Sequence, residues 1–149
     1  MNSRHRAREV ALQIIYRYDV AAAQGSTSPT AHELTHELKD HFRHFDVPDG
    51  LREFASQLVT GTVLKLPELD LLLEKHSANW RISRLGFVDR SILRMSICEM
   101  QYHPETAPTV IINEAVELAK SFGTSESPAF INGILDAIKT ALGQQAIST

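Results

Sequence analysis

A polar segment in the first third of the chain carries the residue types of a hydrolytic zinc site. His32, Glu33 and His36 match the pattern H-E-x-x-H, in which two histidines on one helix face bind zinc and the glutamate acts as general base. A catalytic zinc needs a third protein ligand, and the extended pattern of one protease class requires glycine and histidine where this chain has Lys39 and Phe42. We therefore interpret the segment as a solvated helix, with a zinc hydrolase or adventitious metal binding as the alternatives.

Other reactive side chains have ordinary structural explanations. Cys98 is the single cysteine, which excludes an intramolecular disulfide and a cysteine-rich zinc site. Its apolar neighbours Ile97 and Met100 predict a buried thiol that packs as a small hydrophobic group. Glu117 precedes Lys120 by three residues, which is the spacing of an ion pair along a helix. The residues by themselves offer no convincing catalytic site.

The first helical segment concentrates positive charge at its start. Arg4, Arg8, Leu12 and Tyr16 recur every four residues and trace one stripe along a helix, and Arg6 adds charge near its beginning. A helix N-terminus favours anions, so three arginines there are electrostatically unfavourable until a phosphate arrives. Guanidinium groups also stack on unpaired bases. The pattern indicates either an ordinary solvated first turn or a contact with nucleic acid.

Length and composition limit the possible classes of protein. A chain of 149 residues that is 43% hydrophobic fits one domain with a substantial core. The formal net charge is −3, unlike that of a strongly basic nucleic-acid binder, so any RNA binding must come from a local patch. No apolar run approaches the ~18 residues of a membrane span. Because Glu9, Gln13 and Arg17 interrupt any signal-peptide core, we expect a cytoplasmic protein.

Apolar residues recur at helical spacing along most of the chain and predict an all-α fold of about seven helices. The predicted segments are Arg4–Ala23, Ala31–Phe45, Leu51–Leu66, Pro67–His76, Val88–Tyr102 and the two helices of a hairpin over Ile112–Asp136. Val88–Tyr102 is apolar nearly all round, which is typical of a central, buried helix. We expect one compact domain of two packed three-helix sub-bundles, about 1–76 and 77–143, with Trp80 in the core or at the seam and a frayed tail at 144–149.

The hairpin contains signals for the end of one helix and the start of the next. Gly123 is expected to adopt the left-handed conformation that ends the first helix. Ser127 is expected to cap the second helix, with Pro128 at its first position. Gly133 lies inside the second helix, which indicates close helix packing or close approach of a ligand. The face of the first helix that is predicted to pack consists of Ile111, Ala115, Leu118 and Phe122.

The residue identities of this hairpin resemble a known signature. The run INEAVELAKSFG, followed by Ser-x-x-Phe-Ile-Asn-Gly-Ile-Leu-Asp, is similar to the C-terminal signature of the NusB family of bacterial transcription antitermination factors. Further blocks match that family in the same order and spacing: Arg6–Gln13 with Tyr16, Leu58–Gly61, Asn79–Trp80, Arg84–Leu85 and Val88–Arg94 with Glu99. The resemblance covers most of the chain, and its blocks are specific in combination.

The resemblance implies an all-α RNA-binding protein that is not an enzyme and has no cofactor or metal. NusB-like proteins pair with NusE, a small-subunit ribosomal protein, and the pair binds the boxA element of nascent RNA. Together with NusA and NusG, the pair keeps RNA polymerase reading through terminators, chiefly in ribosomal RNA operons. Some members self-associate, which makes a homodimer a further expectation. Because a similar module occurs fused to a ribosomal-RNA cytosine methyltransferase, an RNA-targeting module is the alternative.

Carried over to this sequence, the resemblance assigns three groups of residues. Arg4, Arg6 and Arg8 would contact RNA. The neighbouring part of that surface would consist of Gly123, Ser125, Glu126 and Phe130. Tyr16 and Asp89 match positions that face NusE. The chain departs from the family pattern in two places. The loop Thr124–Pro128 lies where the family varies, and His5 interrupts the basic run of the first helix. Because of this interruption, we expect modest RNA affinity for the chain alone.

Overall fold

The computed structural model describes the backbone of residues 3–77 and 85–148 and the side chains of residues 4–77 and 85–143. That part of the chain contains seven helices and no strand, which confirms the predicted all-α class. The helices are α1 (Ser3–Ala23), α2 (Ala31–His44), α3 (Asp49–Leu64), α4 (Leu66–His76), α5 (Phe87–Tyr102), α6 (Pro108–Phe122) and α7 (Ser127–Ser148). The interpretations of Asn79, Trp80 and Arg84 lie outside the described residues.

The first compact unit, Met1–Lys65, contains α1, α2 and α3. Helix α3 packs along α1 and also against α2, so it is the central helix of this unit. Each helix buries residues three or four apart, as an amphipathic helix must when it covers a core. The buried apolar residues of these three helices are Ala7, Val10, Ala11, Leu12, Ile14, Ile15, Leu34, Leu38, Phe42, Leu51, Phe54, Ala55, Leu58, Val59 and Val63.

The second compact unit, Leu66–Thr149, contains α4 to α7. Helix α5 contacts α4, α6 and α7, and all nine residues from Ser91 to Glu99 are buried. The prediction of a central, buried helix is therefore confirmed. Cys98 lies within this run and is 1% exposed, so the predicted burial of its thiol is also confirmed.

Helix α4 belongs with the second unit, whereas the sequence predicts it in the N-terminal group. An ion pair provides one physical reason. Arg94 of α5 donates from Nε to Asp70 Oδ1 at 2.8 Å and from Nη2 to Asp70 Oδ2 at 2.9 Å. Leu69 and Leu73 of α4 are fully buried. A two-pronged guanidinium–carboxylate contact fixes direction as well as distance, so it sets the orientation of α4 against α5.

The C-terminal helix α7 extends through Ser148. Fraying of residues 144–149 stays a prediction, because their side chains lie outside the described part of the chain. No helix among the described residues is both long enough and apolar enough to cross a membrane.

Candidate nucleic-acid interface

The three arginines at the start of α1 occupy three different environments. Arg4 and Arg6 are exposed, whereas Arg8 is only 2% exposed although it lies on the same helix. Burial of a guanidinium is costly unless the group is paired or stacked. The sequence-predicted RNA residues of α1 therefore divide into two that solvent reaches and one that lies beneath the surface.

Phe54 of α3 contacts two of these arginines. The guanidinium carbon of Arg4 lies 4.2 Å from the centroid of the Phe54 ring, and that of Arg8 lies 5.3 Å from it. Both distances are within the range at which a cation is attracted to the electron-rich face of an aromatic ring. Phe54 is itself 8% exposed. We call Arg4, Arg8 and Phe54 the arginine–phenylalanine stack.

Arg6 is held by an exposed ion pair with Glu9. Its Nη1 lies 3.6 Å from Oε2 of Glu9, and Nε2 of His5 lies 3.1 Å from the other oxygen of the same carboxylate. The Arg6 side chain is largely exposed, so water and salt screen this ion pair and its stabilisation is small. A phosphate can therefore replace Glu9 as the partner of Arg6 at little energetic cost.

The loop between α6 and α7 is shaped by close approach rather than by a left-handed residue. Gly123 has φ −95° and ψ −163°, so the prediction of a left-handed conformation is wrong. A Cβ built on Gly123 would lie 2.6 Å from Ser127 Oγ, 2.7 Å from Ser127 Cβ and 2.9 Å from the carbonyl oxygen of Ala119. The amide of Gly123 donates to that same carbonyl at 2.8 Å. Only a residue without a side chain fits here.

Ser127 holds this loop from its other end. The helix begins at Ser127, and the hydroxyl accepts a hydrogen bond from the amide of Thr124 at 2.9 Å; Thr124 Oγ1 also lies 3.2 Å from the Ser127 Oγ. The Ser127 hydroxyl therefore accepts its hydrogen bond from the loop that precedes α7. The sequence predicts instead that this hydroxyl caps α7 itself. Ser125 and Glu126 are exposed between these anchors, and Phe130 is half-buried one turn into α7.

Two further predictions for the hairpin are wrong. Ile111, Ala115 and Leu118 are buried as predicted, but Phe122 is 42% exposed because it occupies the last residue of α6, where the packed face ends. The prediction of close helix packing at Gly133 is wrong, since a Cβ on it would meet nothing within 4 Å, while the approach of a ligand stays a prediction. Glu117 and Lys120 do form the predicted ion pair, at 3.2 Å.

The two predicted partner residues lie on different helices of different units. Tyr16 is exposed on α1 and borders a groove of about 1190 Å³ between α1 and α2. Asp89 is in the first turn of α5, where the positive end of the helix dipole stabilises its charge. Each side chain is accessible for contact with a partner protein.

Polar contacts connect the two walls of this groove. Tyr18 donates a hydrogen bond to Glu37, and Arg17 Nη1 donates to His41 Nδ1 at 3.2 Å. Burial raises the pKa of Tyr18, and the hydrogen bond to the Glu37 carboxylate raises it further, so the phenol stays protonated and acts as a donor. Burial, together with the charge of Arg17, lowers the pKa of His41. A neutral imidazole is the form that accepts from Arg17.

The H-E-x-x-H segment is a solvated part of α2, as interpreted from the sequence. Thr30 caps the helix: its Oγ1 accepts from the Glu33 amide at 3.1 Å, and Glu33 Oε1 accepts from the Thr30 amide at 3.1 Å. These bonds lower the pKa of Glu33 and occupy the carboxylate that a zinc hydrolase would use as base. Among the described residues, no group of three or more potential ligands is arranged to hold a metal ion.

Comparison with known proteins identifies the family. A profile described as the NusB family matches residues 5–140. The chain belongs to the NusB family. A transcription antitermination protein NusB from Myxococcus xanthus is 42% identical over 144 residues, which are 97% of this chain and 99% of the relative. Antitermination factors of the NusB family are not enzymes, so the zinc hydrolase alternative is set aside.

Solved NusB structures share the fold. The solution structure of NusB from Aquifex aeolicus matches with a TM-score of 0.75 at 28% identity and covers 97% of this chain and 93% of that one. A crystal structure of the antitermination factors NusB and NusE in complex with double-stranded RNA matches with a TM-score of 0.77 at 29% identity, covering 95% and 98%. The second of these is a complex in which a NusB protein meets both a partner protein and RNA.

Sequence reasoning recognised the arginines of this NusB-family chain but missed Phe54 as their support. The apolar periodicity of Leu51–Leu66 places Phe54 on the inward face of this helix, and Phe54 is buried. Nothing in the spacing along α3 reveals that its ring lies under two guanidinium groups of another helix. The only sequence signal is the i, i+4 spacing of Arg4 and Arg8, which requires that both face one neighbour.

Proposed function

We propose that this chain is a transcription antitermination factor that binds boxA RNA together with the ribosomal protein NusE and thereby supports processive reading by RNA polymerase. The observation that carries the proposal is the 42% sequence identity to a transcription antitermination protein NusB, which extends over 97% of this chain. The likeness to a NusB–NusE–RNA complex supports NusE and RNA as the partners. The chain would act in the cytoplasm, with NusA, NusG and RNA polymerase as further components of the complex.

The RNA contact on α1 rests on the exposed guanidinium groups of Arg4 and Arg6. Both stand in the first turns of a helix, where backbone amides and the helix dipole add to the attraction for a phosphate. Arg8 contributes positive charge from below the surface, because only 2% of it is exposed. The first turns of α1 contain no acidic residue before Glu9, so this end of α1 is a local basic patch on an acidic protein.

We assign the α6–α7 loop to a second RNA contact. Gly123, Ser125, Glu126 and Phe130 are the proposed residues. The hydrogen bond from the Thr124 amide to Ser127 Oγ holds the loop in one conformation, so its exposed backbone and the Ser125 hydroxyl are preorganised to bind. Glu126 is negatively charged and accepts rather than donates, so we expect it to contact base or ribose donors instead of phosphate.

NusE is the proposed protein partner, and Tyr16 and Asp89 are the proposed contacts. Tyr16 offers an exposed aromatic ring with a polar hydroxyl, a combination enriched in protein interfaces. Asp89 offers a charge that can be paired by a basic partner. The chain is a scaffold in this scheme: it holds RNA and NusE side by side and catalyses no reaction.

Salt dependence tests the size of the RNA contact. Each neutralised phosphate of a single strand adds roughly −0.7 to the slope of log affinity against log salt. Two exposed arginines therefore predict a shallow slope, of about −1.4, for the chain alone. NusE should tighten binding and steepen the slope, since it extends the charged surface.

A titration of boxA RNA with and without NusE, followed by size-exclusion chromatography, tests the proposed function. We expect weak binding by the chain alone, tighter binding with NusE, and one co-eluting complex of all three. Arg6→Gln should weaken binding, while Arg43→Gln, which removes the same charge from exposed α2, should not. Equal RNA affinity with and without NusE would contradict the cooperative scheme. Elution of the free chain in the same run reports whether it is a monomer or a homodimer.

A further inference from the structure

Phe54 stands out as a buried side chain that touches the proposed RNA contact without belonging to it. It lies on α3, and its ring meets the guanidinium groups of Arg4 and Arg8 at 4.2 and 5.3 Å. A benzyl group in a helical core needs no cations to be stable. The two arginines, in contrast, start one turn apart on a different helix and converge on this one ring.

We propose that Phe54 is a positioning residue for RNA binding: its ring fixes the Arg4 guanidinium in the orientation that meets a phosphate, with Arg8 buried behind it. This inference rests on the proposed RNA contact of Arg4. It also changes the role of Arg8, which acts through the arginine–phenylalanine stack instead of touching RNA itself.

The energetic argument concerns preorganisation. A free arginine side chain samples many rotamers, and ordering it on binding costs about 0.5–1.5 kcal/mol. A ring at 4.2 Å already restricts the Arg4 side chain in the unbound protein. The ring contacts the face of the guanidinium and not its edge, where the N–H donors that bind phosphate oxygens are located. The stack therefore lowers the entropic cost of binding without competing for the hydrogen bonds.

Charge adds a second effect. Two guanidinium groups that approach one ring repel each other, and the electron-rich ring face offsets part of that repulsion. Arg8 is held in a region of reduced solvent access, where screening is weak. Arg8 therefore interacts with the ring more strongly than an exposed arginine would.

The test measures the affinity of boxA RNA, in the presence of NusE, for variants of the full chain. Phe54→Leu keeps an apolar side chain in the core and removes the ring. We expect about threefold to tenfold weaker binding, because the Arg4 side chain must then be ordered when RNA binds. Phe54→Tyr retains the ring and should bind RNA like the wild-type chain. Phe42→Leu is the matched control, because Phe42 is also a buried phenylalanine of the first unit.

The decisive measurement is the dependence of the Phe54 effect on Arg4. In an Arg4→Gln background, Phe54→Leu should change RNA affinity less than twofold, because the group it positions is gone. If Phe54→Leu and Phe42→Leu weaken binding equally, the loss reflects core damage and the inference is overturned. The inference also fails if Arg4→Gln weakens binding but Phe54→Leu does not, while the proposed function stands. If Arg4→Gln leaves affinity unchanged, the Arg4 contact of the proposed function fails first.

Discussion

The α-carbon of Gly123 lies so close to Ser127 that a Cβ on Gly123 would stand 2.6 Å from the Ser127 hydroxyl oxygen. The same hydroxyl accepts the amide of Thr124 at 2.9 Å. The end of α6 and the start of α7 are thus held together by the close packing of Gly123 and by hydrogen bonds between Thr124 and Ser127. The loop that carries Ser125 and Glu126 depends on both.

Replacement of Gly123 by alanine should destabilise the protein by about 1–3 kcal/mol, the usual cost of overpacking a fitted site. The new methyl group would overlap Ser127 and the carbonyl oxygen of Ala119. Urea unfolding measures the effect. In a Ser127→Gly background the cost of Gly123→Ala should fall, because two of the three close atoms are then absent. An equal cost in both backgrounds would contradict this account.

Gly133 should respond in the opposite direction. A Cβ there meets nothing within 4 Å, and the residue is exposed in the interior of α7. Gly133→Ala should therefore stabilise the protein by up to about 1 kcal/mol, since alanine loses less backbone entropy than glycine in a helix. Thermal unfolding should show a higher midpoint. A lower midpoint would mean that the glycine serves a contact which the folded chain alone does not reveal.

The ion pair between Arg94 and Asp70 should be worth more than a surface pair. Asp70→Asn removes the charge but keeps the shape, and it leaves the buried guanidinium without its carboxylate, so we expect a loss of about 2 kcal/mol. Glu117→Gln breaks the exposed pair with Lys120 and should cost less than about 0.5 kcal/mol. Chemical unfolding of both variants gives the comparison, and similar losses would argue against the role of Asp70 in holding α4 to α5.

His41 should make stability depend on pH in mildly acidic solution. Its pKa is lowered in the folded protein by burial, by Arg17 and by His44, so the unfolded chain binds the proton more readily. The free energy of unfolding should therefore fall as the pH drops below the ordinary histidine value of 6.5, until the folded pKa is reached. The contribution then stays constant at lower pH.

His41→Asn isolates that contribution. Asparagine offers an acceptor near the position of Nδ1, so it can keep the hydrogen bond from Arg17 without titrating. Between pH 7 and pH 5 the wild-type chain should lose more stability than the variant, because all other titrating groups are common to both. Parallel stability curves would refute the assignment to His41.

Helix positions follow well from the sequence because they depend on local periodicity. The predicted start of the first helix at Arg4 and the end of the fifth at Tyr102 are within one residue of the observed limits. The assignment of α4 to the second unit does not follow, because Leu69 and Leu73 indicate only that α4 has a buried face. The residue that determines its partner helix, Arg94, is far away in sequence.

The candidate site shows the same division. The cluster of arginines is visible in the sequence, but the burial of Arg8 and the contact of Arg4 and Arg8 with Phe54 of another helix are not. Gly123 is recognisable in the sequence as a helix-ending residue. The reason that position 123 must be glycine, however, is the nearby side chain of Ser127. Local spacing predicts which residues share a face, whereas contacts between elements determine what each face meets.

Because Cys98 is buried, the rate at which its thiol is labelled measures how often the second unit opens. Thiol reagents react with an accessible thiolate, and the one cysteine of this chain is 1% exposed on its central helix. Labelling therefore requires α5 to open, and when reclosing is fast, the labelling rate is the rate for a free thiol multiplied by the opening equilibrium constant. The rate of Cys98 alkylation, measured on the protein without any substitution, would therefore show how far added RNA or a partner protein suppresses the opening of α5.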